Sequence, residues 1–153
     1  MTSTRIHETR KSAEALFASG LCCAESVLLA IARAEGVDSD LLPKIATGLC
    51  SGMARTGGTC GALSGAILGV GLALGRASAE DPVDPAYTAA QMVAQAFENE
   101  FGSRECQDLL GGCDLSTREG QTTFIDQGLI QRCLAYTGGA AEIAARALAD
   151  GND

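Results

Sequence analysis

The residues of this 153-residue chain best suited to chemistry are its seven cysteines: Cys22, Cys23, Cys50, Cys60, Cys106, Cys113 and Cys133. Thiolates ligate iron–sulfur clusters and zinc, and they are the nucleophiles of thiol–disulfide exchange. Other chemistry has little to work with. The single histidine, His7, lies near the start, and no clear carboxylate pair is present, which argues against Cys–His and hydrolytic mechanisms. No Cys-x-x-Cys occurs, so ferredoxin and zinc-finger spacings and the c-type haem motif are all absent. A site built on these sulfurs has to be assembled by the fold from remote segments.

The glycine-rich stretch Gly52-Met53-Ala54-Arg55-Thr56-Gly57-Gly58-Thr59 has the glycine density of a P-loop. It carries Gly58 where that motif needs lysine, and no strand precedes it, so nucleotide binding is rejected. Its glycines suit backbone N–H groups that point at sulfur or an anion. Arg55 within it can offset thiolate charge or simply be a solvated loop residue.

The elements that position the sulfurs read as helices. The composition is 46% hydrophobic and 20% charged, that of a globular chain long enough for a real core. A first helix is predicted over residues 6–18, with Ile6, Ala13, Leu16 and Phe17 to one side, and a second over 21–35. Asp40 caps a third, with Leu42, Ile45 and Leu49 at helical spacing. Residues 51–58 read as a flexible loop, and Thr59 caps a small-residue helix reaching Gly75. Residues 76–84 form a polar linker, and Pro85 opens a helix with Tyr87, Ala90, Ala94, Phe97 and Phe101 as its core stripe. Ser103 caps a short helix to Leu110, and Ser116 with Glu119 has capping-box spacing for another. The last helix runs to Asp150 with an interruption at Gly138-Gly139. The expected fold is a single all-α bundle over residues 1–153, with no second domain or repeat.

The 16 residues from Cys60 to Gly75 carry no charge but fall short of the roughly 18 to 20 that a membrane span requires. Gly61, Gly65 and Gly69, four apart, mark this run as a central buried helix or a surface for a homodimer. The net charge of −8, without a basic cluster, excludes nucleic acid as a partner. The polar start, Met1 to Lys11, has no charged-then-apolar leader and points to the cytoplasm, where thiols stay reduced. The odd cysteine count also fits poorly with a disulfide framework.

Several cysteines fall at predicted helix starts. Cys23 lies in the first turn of the second helix, Cys60 follows Thr59, and Cys106 follows Ser103 by three. A helix N-terminus stabilises anions, so these thiols are expected to have lowered pKa values. Adjacent side chains diverge on a helix, so Cys22 and Cys23 are not expected to serve one site equally. The arrangement suits a thiolate-ligated cluster, a reactive dithiol that includes a low-pKa Cys60, or a zinc ion tying helices together in a binding module.

Three stretches carry a resemblance: Cys23-Ala24-Glu25-Ser26-Val27; Ala46-Thr47-Gly48 followed by the glycine-rich loop; and Cys60-Gly61-Ala62-Leu63-Ser64-Gly65. Phe101-Gly102-Ser103 before Cys106, Asp114-Leu115-Ser116-Thr117 with Glu119-Gly120, and Cys133 extend it. Over roughly residues 15–140 the chain resembles the C_GCAxxG_C_C family of redox-active proteins, related to the non-haem domain of split-Soret cytochromes. The motif reads Cys-Gly-Ala here where the family label has Gly-Cys-Ala. The resemblance implies a small helical redox protein with an iron–sulfur cluster, held by Cys23, Cys60, Cys106 and Cys133, and a partner protein with which it exchanges electrons. Cys22, Cys50 and Cys113 fall outside that pattern. Cys50 and Cys113, beside glycine-rich loops, are the better auxiliary candidates, together with Arg55.

Overall fold

The uncharged run forms the centre of the molecule, and its glycine stripe is what lets it get there. The computed structural model describes residues 2–151. Its right-handed helices are α1 (Ser3–Ala18), α2 (Cys23–Ala34), α3 (Leu41–Ala46), α4 (Gly61–Leu74), α5 (Asp84–Phe101), α6 (Cys106–Leu109), α7 (Arg118–Asp126) and α8 (Ile130–Asp150). Helix α4 packs against α2, α5 and α8, and α1 closes the bundle on α2 and α8. A Cβ on Gly65 would meet the Ala24 carbonyl oxygen at 2.6 Å, and one on Gly69 would meet Ile31 at 2.5 Å. The stripe that offered a dimer surface is therefore buried against α2.

Phe97, Leu28, Ile31, Leu148, Val27, Val70 and Val93 are fully buried at the helix crossings. Each such side chain contributes roughly 1.5–3 kcal/mol relative to leaving it in water. The face of α5 that enters the core is Ala89, Val93 and Phe97, while Tyr87 is 60% exposed. Ala90, Ala94 and Phe101 of the expected stripe also pack against the core, so only Tyr87 departs from it and the buried face is wider than expected. Ile45 of α3 also points outward, with only Leu42 and Ala46 buried on that helix.

Helix α8 is continuous through Gly138 and Gly139, where an interruption was expected. A Cβ at Gly138 would strike Glu14 at 2.4 Å, and one at Gly139 would strike the Phe101 ring at 2.5 Å. These glycines admit neighbouring side chains against the helix and do not break it. Phe97, Phe101 and Tyr136 stack edge-to-face beside this crossing, with centroids 4.9 and 5.0 Å apart for the two closest pairs.

Several helix starts are displaced from expectation. Cys60, not Thr59, occupies the N-cap of α4. Glu105 precedes α6, with the Ser103 hydroxyl accepting the Glu105 N–H one step earlier. Thr117 caps α7 by accepting the Gly120 N–H at 2.9 Å, while Ser116 closes a turn onto Asp114. Among the described residues there is no strand, only one isolated antiparallel bridge, Thr59 to Glu105. No helix of the described residues is long and apolar enough to cross a membrane.

Candidate metal centre

One end of the bundle gathers the sulfurs. Cys23 opens α2, Cys60 caps α4, Cys106 opens α6, and Cys133 lies in the first turns of α8. The bridge between Thr59 and Glu105 does much of the assembly. The Cys60 N–H donates to the Arg104 carbonyl at 2.8 Å and the Cys106 N–H to the Gly58 carbonyl at 2.9 Å. Two segments more than forty residues apart in sequence are thereby clasped with their cysteines side by side. All four sulfurs line one cavity of about 210 Å³, together with Cys22 and Tyr136. Its remaining walls include Phe17, Leu21, Leu109, Leu110, Leu115 and Ile130. That volume equals the share of about seven liquid waters at about 30 Å³ each, room for a small inorganic group.

The floor of the cavity is an unusual piece of backbone. After a 3₁₀ turn at Thr47–Leu49, the segment Cys50–Arg55 coils with the left hand. Ser51, Gly52, Met53, Ala54 and Arg55 all have φ between 56° and 70°. Left-handed winding costs roughly 1–2 kcal/mol for each non-glycine residue. The stretch read as a flexible loop is instead an ordered, strained turn, closed by the Gly58 N–H donating to the Gly52 carbonyl at 3.1 Å. Gly52 is buried against Cys106, and a Cβ there would lie 2.5 Å from the Cys106 Cβ and 3.2 Å from its sulfur. A Cβ on Gly61 would lie 2.4 Å from the Cys23 sulfur. Both glycines vacate the space the sulfurs use.

Electrostatics correct the expectation of low-pKa thiols. Burial pushes the Cys60 thiol up to about 11, although the N–H groups of Ala62 and Leu63 at the start of α4 pull the other way. The helix terminus acts as expected, and desolvation outweighs it. Burial likewise raises Cys106, helped by Cys113 and Glu105. Cys133 is pushed up to about 12 by burial, then by Cys60 and Cys106. Burial thus opposes an ionised Cys60 at neutral pH. Burial and the repulsion that neighbouring thiolates would feel both favour the neutral thiol here, and a bound cation would reverse that balance.

Beside the cavity, a tighter group forms. The sulfurs of Cys22 and Cys50 and a carboxylate oxygen of Glu25 lie within 4.8 Å of one another, at a spacing that can hold a metal ion. Among the described residues no three of Cys23, Cys60, Cys106 and Cys133 reach that spacing. Burial, then Cys50 and Glu25, push Cys22 up to about 11. Contact with Cys23, then burial, raises Cys50 against the opposing N–H groups of Glu25 and Ala24. Because Cys50 touches Cys23, the two groups of sulfurs are contiguous.

The four motif cysteines are therefore brought together. Cys113 is not on the cavity wall. It donates to the Gly120 carbonyl at 3.1 Å and packs against Cys106, Leu110 and Leu129. Arg55 is exposed and also stands off the wall. Cys22 had been set aside as the diverging neighbour of Cys23. It sits at the N-cap with extended backbone, outside the helix, so both residues reach the cavity. Tyr136 was missed altogether. It lies one turn beyond Cys133 on the same face of α8, and its hydroxyl donates to the Leu109 carbonyl at 2.6 Å. That spacing of three was its only signal in the sequence.

An all-α bundle with a thiol-lined cavity at one end has the donor groups that cysteine-based redox or metal-binding chemistry uses. A family model described as "Putative redox-active protein (C_GCAxxG_C_C)" matches residues 21–147, and the chain belongs to that family. No curated protein matches the chain, and no solved structure does.

Proposed function

We propose that the cavity holds an iron–sulfur cluster on Cys23, Cys60, Cys106 and Cys133 and that the protein serves in electron transfer. The observation that carries this reading is four cysteines from four helix ends on one small cavity, spaced too widely for a single ion. In a tetrahedral zinc site, Zn–S bonds of about 2.3 Å put the sulfurs roughly 3.8 Å apart. Sulfurs farther apart suit a polynuclear group, and the donor set is all thiolate, as such clusters prefer.

A bound cluster would supply one-electron redox chemistry. The protein's part is to hold and insulate it. The leucine and phenylalanine walls lower the local dielectric on the inner side of the cavity. The N–H groups of Ala62 and Leu63 aimed at the Cys60 sulfur stabilise added negative charge and raise the potential. Tyr136, whose phenol burial keeps protonated, fixes α6 to α8 and with it the separation of Cys106 from Cys133.

Expression with ample iron and strictly anaerobic purification test the reading. A brown protein with matching iron and acid-labile sulfide, bleached by dithionite, is expected. A colourless, iron-free protein from the same preparation would overturn it.

A further inference from the structure

We propose that Cys22, Cys50 and Glu25 form a second, mononuclear site for a thiophilic divalent cation of the zinc class, adjoining the four-cysteine cavity, whose wall Cys22 shares. The three donor atoms already lie within 4.8 Å of one another. Zn–S bonds of about 2.3 Å and Zn–O bonds of about 2.0–2.2 Å require roughly 3.5–3.8 Å between donors, so closure of at most about 1.3 Å completes the geometry.

Each donor is set by its own piece of structure. Cys22 stands at the α2 N-cap with φ −79° and ψ 172°, which turns it off the helix. Cys50, also extended at φ −67° and ψ 156°, ends the 3₁₀ turn and enters the left-handed one. Glu25 has both oxygens occupied by donors: Oε1 accepts the Cys22 N–H at 2.8 Å and Oε2 accepts the Thr47 hydroxyl at 2.7 Å. Ligating carboxylates are characteristically fixed by such outer hydrogen bonds. Helix capping accounts for the first of these bonds. It does not account for two sulfurs converging on the same carboxylate.

The chemistry of the set selects the ion. Two sulfurs out of three donors disfavour magnesium and calcium, which take oxygen. Two thiolates and a carboxylate against a divalent cation leave one net negative charge, placed at the positive end of α2. Cys22 is exposed, which gives the ion a path from solvent and leaves the fourth position to water. The wider spacing of the other four sulfurs separates the two sites by the kind of group each accepts.

The test uses the full-length chain, reduced and stripped with chelator, titrated anaerobically with Co²⁺ as an optical probe and then with Zn²⁺. A thiolate-to-cobalt absorption band and tetrahedral visible bands are expected to saturate at one equivalent and to disappear on adding Zn²⁺. Cys22→Ser and Glu25→Gln change residues at the protein surface, and circular dichroism verifies their fold. Cys22→Ser is expected to weaken binding at least about 100-fold, and Glu25→Gln about 10-fold or more, at or above the range for loss of an outer-shell partner. The same band is expected to survive in Cys60→Ser and Cys133→Ser. A band that survives Cys22→Ser, one that vanishes in Cys133→Ser, or no thiolate band at all would each overturn the site. Iron and sulfide content measured on Glu25→Gln, whose side chain is not on the cavity wall, stays at the parent level, so failure here is distinct from failure of the cluster reading.

Discussion

The two ends of the bundle are built on different terms. Towards the C-terminal ends of α2 and α4, helices meet through Ile31, Val70, Leu148 and a series of alanines, with glycines admitting the close approaches. Towards their N-terminal ends the walls are a four-residue helix, a strained left-handed turn and one isolated bridge. The first region has the repetitive packing from which stability comes. The second holds polar backbone and buried thiols that raise their own pKa values, an arrangement that packing alone does not reward. The contrast teaches that this fold uses one half as a frame and keeps the other half for chemistry.

The difference can be broken from either side. The largest effect is expected from Cys133→Ser, which removes a sulfur from the cavity while leaving the frame alone. Iron content should fall to background, with the helical signal unchanged by circular dichroism. Retention of full iron and sulfide would take Cys133 out of the ligand set. Gly65→Ala should do the reverse. Its Cβ runs into the Ala24 backbone, an overpacking expected to cost about 3 kcal/mol. At roughly 2–4 °C per kcal/mol for a chain of this size, the melting temperature falls by about 10 °C, while iron per folded chain holds.

A pH series sharpens the same line. In the metal-free protein, Cys60 and Cys133 hold their protons up to about 11 and about 12, whereas an unfolded thiol releases its proton near 9.0. Between those values the folded state binds more protons than the unfolded one, so stability is full below pH 9 and is lost as pH rises. A fall of roughly 5 °C or more in melting temperature between pH 8.5 and 11 is expected, reduced in the Cys60→Ser Cys133→Ser double variant. An equal fall in both proteins would assign the effect elsewhere. The smallest effect is that of Tyr136→Phe, which deletes the bond to the Leu109 carbonyl and costs about 1 kcal/mol. Because it releases α6 from α8, it should speed iron loss to a chelator more than it lowers melting temperature.

The frame was largely legible in the sequence, because helical spacing and small-residue stripes report directly on packing. The uncharged run at Cys60 to Gly75 read correctly as the central helix, although its glycines serve α2 and not a second copy. Gly138 and Gly139 misled for a related reason. A glycine that admits a neighbour looks the same in sequence as one that ends a helix. At the cavity, family resemblance carried the four cysteines, and the coordinates placed them together. The left-handed turn left no trace, since nothing in Ser51, Met53, Ala54 or Arg55 favours positive φ and only tertiary context holds it. Cys22 reaches the cavity wall because α2 starts at Cys23, two residues later than expected, a shift that lies inside the error of any periodicity argument.

The coil of opposite hand beneath the sulfurs has a consequence for where the protein first opens. Its positive-φ residues are held by tertiary contacts and not by their own preference, so this stretch should spring open before any helix melts. Arg55, already facing solvent, then becomes the first bond offered to trypsin. Scission after Arg55 ahead of any cut within a helix is the expected result of limited proteolysis, and a first cut elsewhere would place the weakest segment outside the turn.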